Sequence, residues 1–207
     1  MNWLHRRYCR SDHWRRTAHN EILPWGLDGI ELGDAVLEVG PGPGVTTEWL
    51  RGRVEHLDCL EIDPELADSL QRRLGATNVS VRRGDATAMP YQGGRFSAVV
   101  SFTMLHHIPT AELQDQFLAE ACRVLRPHGI LVGVDSLNSL LMRVFHIGDT
   151  MTLVDPGTLA PRLIAAGFTE PRIDVDAGRV RFSARRPVDE ESSESEELAL
   201  AGELRSS

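Results

Sequence analysis

From Val36 to Gly44 the chain reads Val-Leu-Glu-Val-Gly-Pro-Gly-Pro-Gly, an apolar run that stops in a glycine-rich turn and passes into a helix-like segment over 45–53. No other stretch constrains the fold as tightly. Ala35–Val39 is short, apolar and ended by glycine, the pattern of a strand buried on both faces. A buried strand that feeds a helix through a tight turn is the repeating unit of parallel sheets. Glycine permits that turn, and it lets a bound molecule approach where a Cβ would clash.

The rest of the chain continues the rhythm. Strands are expected over 57–62, 79–82, Phe96–Phe102 and 130–134. Helices are expected over 65–74, with Pro64 in the first turn and Gly75 at the end, and over 111–125, capped by Thr110. Asp155-Pro156 starts a further helix that ends at Gly167. Residues 172–176 and 179–185 alternate with period two around Ala177-Gly178 and read as an antiparallel hairpin. The expected class is α/β: a mostly parallel sheet with helices on both faces, joined by right-handed crossovers.

Three regions are expected along the chain. Residues 1–28 form a Trp- and Arg-rich helical leader, with Asp12 capping a helix that runs to about Leu23 and Pro24 with Gly26 ending it. Residues 29–187 form the α/β domain. Residues 188–207 form a Glu- and Ser-rich tail expected to be disordered. The tail carries most of the net charge of −8, so the body is nearly balanced and poorly suited to neutralising many phosphates. All 22 basic residues are arginine, which excludes a Schiff-base lysine. Cys9, Cys59 and Cys122 are dispersed, which argues against a disulfide framework or a zinc site. No signal-peptide pattern and no long uninterrupted apolar stretch is evident, so a cytoplasmic location without a transmembrane segment is expected.

The strand ends carry the chemistry. A dinucleotide site wants G-x-G-x-x-G, but Val45 stands where the third glycine would be. The pattern is instead E-x-G-x-G-x-G, with Glu38 two residues before Gly40, followed by Gly42 and Gly44. An acid there suits the positive end of an amino-acid ligand and would repel a pyrophosphate. Glu61, ending the second strand, can accept hydrogen bonds from two ribose hydroxyls. Asp85, in Gly84-Asp85-Ala86 after the third strand, can accept one from an adenine amine. Three successive strand ends thus each offer a group for one part of the same ligand, lining one crevice.

With these loops, Phe96-Ser97-Ala98-Val99-Val100-Ser101, Leu105-His106-His107 and Arg123-Val124-Leu125-Arg126-Pro127-His128-Gly129, residues 30–187 resemble the class I S-adenosylmethionine-dependent methyltransferases of the small ubiquinone/menaquinone methyltransferase-like type. The resemblance implies a Rossmann-like seven-stranded sheet with its last strand antiparallel. It implies S-adenosylmethionine as cofactor, with Glu38 and Gly40, Gly42 and Gly44 around the methionine part. It places Glu61 at the ribose, Asp85 and Ala86 at the adenine, and Ile62 and Ser101 among the residues near the cofactor. Two positions depart from the family pattern: Ser97 replaces a usual aspartate, and His128 replaces a usual glycine.

His106 and His107 are the candidate general bases, since histidine titrates in the right range. A base is needed only if the acceptor keeps its proton until attack. His146 and Asp149, spaced i and i+3, could form part of a metal site but give too few ligands, so no metal is expected. Residues 136–154, with Leu140, Leu141, Met142 and Phe145, are the expected acceptor wall and suggest a partly apolar small molecule. The leader suits a docked helix, a cover for the site or membrane contact, with the docked helix the default. An Asp/Asn-Pro-Pro-aromatic motif after the fourth strand would suit a base-methylating enzyme; Ser101-Phe102-Thr103-Met104 stands there and disfavours nucleic acid. A non-catalytic binding module is the alternative reading.

Overall fold

Alternating apolar side chains along each strand leave both faces of a sheet needing cover, and the computed structural model shows how they are covered in the residues it describes, 7–137 and 151–188. The expected wall residues 140–145, His146, Asp149 and the tail from 189 onward lie outside the described residues.

Seven strands form one sheet among the described residues: β1 (Ala35–Val39), β2 (His56–Glu61), β3 (Val79–Arg83), β4 (Phe96–Phe102), β5 (Leu125–Ser136), β6 (Thr169–Asp176) and β7 (Arg179–Arg185). Their order is β3-β2-β1-β4-β5-β7-β6. The pairs from β3 to β5 are parallel, whereas β7 runs antiparallel to both β5 and β6. This is the Rossmann-like, mostly parallel sheet with a C-terminal antiparallel hairpin. β5 starts earlier than expected, at Leu125, because Leu125 pairs with Phe96 before the register shifts at Ala98.

Period-two alternation divides the core. Leu37, Val39, Val99 and Leu131 face one side, covered by α4 (Ala111–Val124) through Phe117, Leu118 and Ala121 and by α5 (Pro156–Ala165) through Leu159 and Leu163. Val36, Cys59, Val100 and Val132 face the other side. That side is covered by the leader helix, by α2 (Val45–Leu50) and by α3 (Pro64–Leu74). Each fully buried aliphatic side chain contributes about 1.5–3 kcal/mol relative to exposure.

Local signals fix the helix starts. Asp63 accepts hydrogen bonds from the N–H groups of Glu65 and Leu66, with Pro64 in the first turn of α3. Thr110 does the same for Leu113 in α4, and Asp155 for Gly157 in α5.

The leader differs from expectation. Ser11 rather than Asp12 caps α1, which begins as Asp12–Thr17, widens to a π-helix over Ala18–Ile22 and closes as Leu23–Gly26. Pro24 therefore does not end it. A proline inside a regular helix removes one hydrogen bond and crowds the carbonyl four residues back. Here the wider turn just before it, where Leu23 N–H reaches the Ala18 carbonyl, absorbs the mismatch.

The two departures from the family pattern have visible consequences. Ser97 Oγ lies 2.7 Å from the Leu32 carbonyl and 2.8 Å from the Ala35 carbonyl, and accepts the Ala35 N–H at 3.0 Å. It ties the entry of β1 to β4. His128 sits at φ +62°, in the left-handed region that glycine adopts freely. His128→Gly should therefore stabilise the fold by about 1 kcal/mol. In a chain of this size that is a rise of roughly 2–4 °C in Tm. A lower Tm in a thermal melt would show that contacts of the imidazole outweigh the backbone strain.

Candidate functional site

Every strand from β1 to β5 delivers its C-terminal end to the same edge of the sheet, and a cavity of about 770 Å³ opens there. The β1–α2 turn forms its floor. Gly40, Gly42 and Gly44 all have positive φ. A Cβ on Gly40 would lie 2.2 Å from Met104 Cγ, so glycine is what allows β4's exit to pack against the turn. Gly42 has open space where a Cβ would stand, and its N–H donates to Glu61 Oε2 at 2.9 Å. Gly44 does not line the cavity; a Cβ there would meet Leu70 Cδ1 at 2.4 Å, so it serves the packing of α2 on α3.

Glu38 is placed differently from the sequence expectation. It does not line the cavity and is buried with its carboxylate accepting hydrogen bonds from Thr46 Oγ1, from Thr47 Oγ1 at 2.6 Å and from Cys59 Sγ at 3.6 Å. Burial pushes its pKa up, and the hydroxyl and thiol donors oppose that only in part. The cause is the strand alternation itself. Glu38 shares a face with Val36, and α2 folds back over that face with Thr46 and Thr47. Here Glu38 braces the turn from behind. Ser101 is likewise buried and outside the cavity wall.

Glu61 does reach the cavity. Its carboxylate accepts the N–H groups of Gly42 and of Asp63, the latter at 3.0 Å, so it is held at the end of β2 in a fixed attitude. Burial pushes its pKa up, and those two backbone donors pull the other way. Beside it Ile62 is 63% exposed, an apolar platform at the cavity edge. Asp85 caps its own loop, accepting from Thr87 N–H and Oγ1 at 2.8 Å, and it lines the wall with Ala86.

Beyond β4 the backbone bends sharply. Thr103 adopts φ +52°, an uncommon and costly value for a β-branched residue. The bend leads into a 3₁₀ turn, Leu105–His107, which puts both candidate histidines on the cavity wall. Their rings lie 4.1 Å apart between centroids, tilted by 39°. His106 is 2% exposed; its Nδ1 lies 2.6 Å from Asp135 Oδ1, and its backbone N–H donates to Asp135 Oδ2 at 3.1 Å. Burial lowers the imidazole pKa, but the charge and hydrogen bond of Asp135 outweigh it and hold the value above the ordinary one. Asp135 escaped the sequence reading. The available signal was an acid directly after the apolar run of the fifth strand, at the edge where the other acids lie.

The leader supplies the remaining wall. Tyr8, Trp14 and Ile22 line the cavity, as do the apolar Phe102, Met104 and Leu137. Arg179, at the β6–β7 turn, is also in the wall and pairs with Glu21 of α1 at 3.0 Å. Arg181 donates to the Trp25 and Asp28 carbonyls at 2.7 and 3.0 Å, and His19 Nε2 lies 2.9 Å from the Val45 carbonyl. The leader is thus docked onto the sheet and forms part of the site. Among the described residues, no helix is long and apolar enough to cross a membrane.

Comparison with known proteins gives consistent results. A family model described as a methyltransferase domain matches residues 37–133. A ribosomal RNA small subunit methyltransferase A of Synechococcus sp. (strain WH7803) is 38% identical over 96 residues, covering 43% of this chain and 34% of that protein. A demethylmenaquinone methyltransferase of Tropheryma whipplei (strain Twist) is 27% identical over 128 residues, covering 60% of this chain and 48% of that protein. In these matches the chain spans about a third to a half of its relatives' length. Among solved structures, the PH0226 protein of Pyrococcus horikoshii OT3 matches with a TM-score of 0.74 at 14% identity, over 86% of this chain and 94% of that one. A chain from a complex of the Haloferax volcanii Trm112 methyltransferase activator with a methyltransferase matches at 0.70 and 17% identity, over 91% and 99% of the two chains. At these identities the structural likeness establishes the fold.

Proposed function

Residues 37–133 belong to the class I S-adenosylmethionine-dependent methyltransferase family, and on that premise we propose that this protein transfers a methyl group from S-adenosylmethionine to a largely apolar small molecule. The observation that carries the proposal is one cavity at the strand ends whose lining combines the glycine turn, Glu61, Ile62 and Asp85 with apolar side chains from the leader and β4 and with His106.

The residues at the ends of β1, β2 and β3 fit the cofactor. Glu61, fixed at the end of β2, would take the ribose hydroxyls, Ile62 would support the adenine, and Asp85 with Ala86 would meet its edge. The open space at Gly42 leaves room for the methionine part. Glu38 would act indirectly, by holding the turn through Thr46 and Thr47. When bound, the cofactor supplies an electrophilic sulfonium methyl group.

The chain's own contribution is orientation, exclusion of water by the leader, and proton handling at His106 or His107. Holding the acceptor in line can lower the barrier by up to about 7–11 kcal/mol in ideal cases. Some matched relatives are named for ribosomal RNA. The small-molecule reading is preferred because apolar side chains of the leader line the cavity and because Arg179 is the only arginine in the described cavity wall.

Calorimetric titration with S-adenosylmethionine, and separately with NADH, tests the cofactor assignment; saturable binding of the first alone is expected. Glu61→Ala should weaken that binding by roughly 1–3 kcal/mol, the cost of leaving hydroxyls unpaired. Unchanged affinity would remove Glu61 from the ribose site. A transfer assay with ribosomal RNA fragments alongside a panel of phenols and quinols separates the two acceptor classes. Methylation of RNA alone would overturn the small-molecule reading.

A further inference from the structure

Arg179 and Glu61 both line the cavity but belong to strands far apart in the sheet. The order β3-β2-β1-β4-β5-β7-β6 puts four strand spacings between β2 and β7, roughly 19 Å at backbone level. Because β7 runs antiparallel, its first residue, Arg179, pairs with Ser136 at the end of β5, on the edge where the parallel strands finish. The wall thus carries Glu61, Asp63 and Asp85 on its β2–β3 side and, among the described residues, its one arginine on the β7 side. The backbone that presents Arg179 is fixed. Ala177 and Gly178 turn tightly at φ +47° and +76°, and Leu137 N–H donates to the Gly178 carbonyl at 2.8 Å. Among the described residues the guanidinium makes one ion pair, Nη2 to Glu21 Oε2 at 3.0 Å, which leaves Nε and Nη1 without a protein acceptor. The Glu21 side chain is 57% exposed and is not part of the cavity wall.

Resting on the cofactor placement proposed above, we infer that the methyl acceptor is a partly apolar carboxylic acid and that Arg179 binds its carboxylate. The ligand takes the N–H groups that Glu21 leaves unused. Glu21 itself shows that a carboxylate oxygen meets this guanidinium at hydrogen-bond distance. Arginine's planar fork offers a second carboxylate two parallel N–H···O bonds. The charge fits a monoanion. Glu21 offsets part of the single positive charge, so a phosphate dianion would be repelled where a carboxylate is held. On the β7 side such an acid also stays away from Glu61, Asp63 and Asp85. Tyr8, Ile22 and Leu137 in the wall give its apolar part surface to cover.

Two other roles for Arg179 make different demands. A guanidinium could read the carboxylate of the cofactor's own methionine part. That part is assigned to the glycine turn after β1, three strand spacings from β7 or roughly 14 Å. A guanidinium could also do no more than clamp the leader to the sheet through Glu21. A clamp is weakened by loss of either partner. A ligand-binding guanidinium is strengthened by loss of Glu21, because a like charge beside the ligand's carboxylate disappears.

The test is calorimetric titration of the full-length protein, saturated with S-adenosylhomocysteine, with 2-naphthoate and with its uncharged amide. The wild type should bind the acid about tenfold tighter than the amide, the worth of one charge-assisted pair. Arg179→Gln should bind the two equally, and Arg179→Lys should recover part of the preference. Glu21→Gln should bind the acid severalfold tighter and the amide as before. S-adenosylhomocysteine affinity should be the same in all of them. Circular dichroism checks folding; if Arg179→Gln does not fold, the substitution at exposed Glu21 still reads the sign. Equal binding of acid and amide by the wild type would overturn the inference. So would weaker binding of the acid by Glu21→Gln, the mark of a clamp, or loss of S-adenosylhomocysteine affinity in Arg179→Gln, the mark of a cofactor contact. Binding of S-adenosylhomocysteine without binding of either probe would overturn the acceptor class and leave the cofactor reading standing. Failure to bind S-adenosylhomocysteine would strike the cofactor reading itself.

Discussion

Glu38→Ala should lower the unfolding free energy by about 3 kcal/mol, because it strips partners from a buried cluster and leaves a void. Thr46 and Thr47 are buried and direct their hydroxyls at the Glu38 carboxylate, with the Cys59 thiol beside it. Without the carboxylate, those donors lose their acceptor in a place water does not easily reach. The fall in Tm should be roughly 6–12 °C. Glu38→Gln keeps the volume and an acceptor and should cost about 1 kcal/mol at neutral pH.

The two variants should also separate with pH. Burial raises the Glu38 pKa in the folded state. A raised folded value means the group's contribution is fully present below its unfolded pKa and is lost as pH rises through the folded value. The stability of wild type relative to Glu38→Gln should therefore decline as pH rises above the ordinary carboxylate range. Melting curves through that range and above it read the sign. If Glu38→Ala instead lost cofactor affinity while keeping its Tm, the carboxylate would be a ligand contact and not a brace.

Phe182→Ala should be as damaging, at about 3–5 kcal/mol. The ring is fully buried, and it fills the space left by Gly133 on the neighbouring strand. A Cβ on Gly133 would lie 2.1 Å from Phe182 Cζ, so Gly133→Ala alone should cost about 1–3 kcal/mol by overpacking. Together the two changes should cost less than their sum, since the added methyl enters the space vacated by the ring. Chemical denaturation of the single and double variants gives the coupling energy. Simple additivity would show that the sheet relaxes around Gly133 rather than depending on the ring. The pair matters to the site because Asp135 lies two residues beyond Gly133 on the same strand.

Much of this molecule was readable before its structure. The run Val36–Gly44 fixed a buried strand, a tight turn and a helix, because each depends on neighbours in sequence: apolar periodicity, positive φ at glycine, and the first turn of α2. The same holds for the caps at Asp63, Thr110 and Asp155 and for the hairpin about Ala177-Gly178. Glu61 and Asp85 were legible as residues of the cavity wall because a parallel sheet brings its strand ends to one edge, whatever the details of packing.

Tertiary structure alone decided the rest. The direction of Glu38 depends on which face α2 covers, and that set its carboxylate against the Thr46 and Thr47 hydroxyls and outside the cavity lining. The helix through Pro24 survives because a π-turn forms where the leader lies against the sheet. His106 and Asp135 are 29 residues apart, and no local pattern links them. They meet because β4 and β5 are neighbours with Ser101 opposite Gly133 and Phe102 opposite Val134. Local periodicity and turn chemistry determine elements; contacts between residues distant in the chain depend on strand order and register, which the whole core sets together.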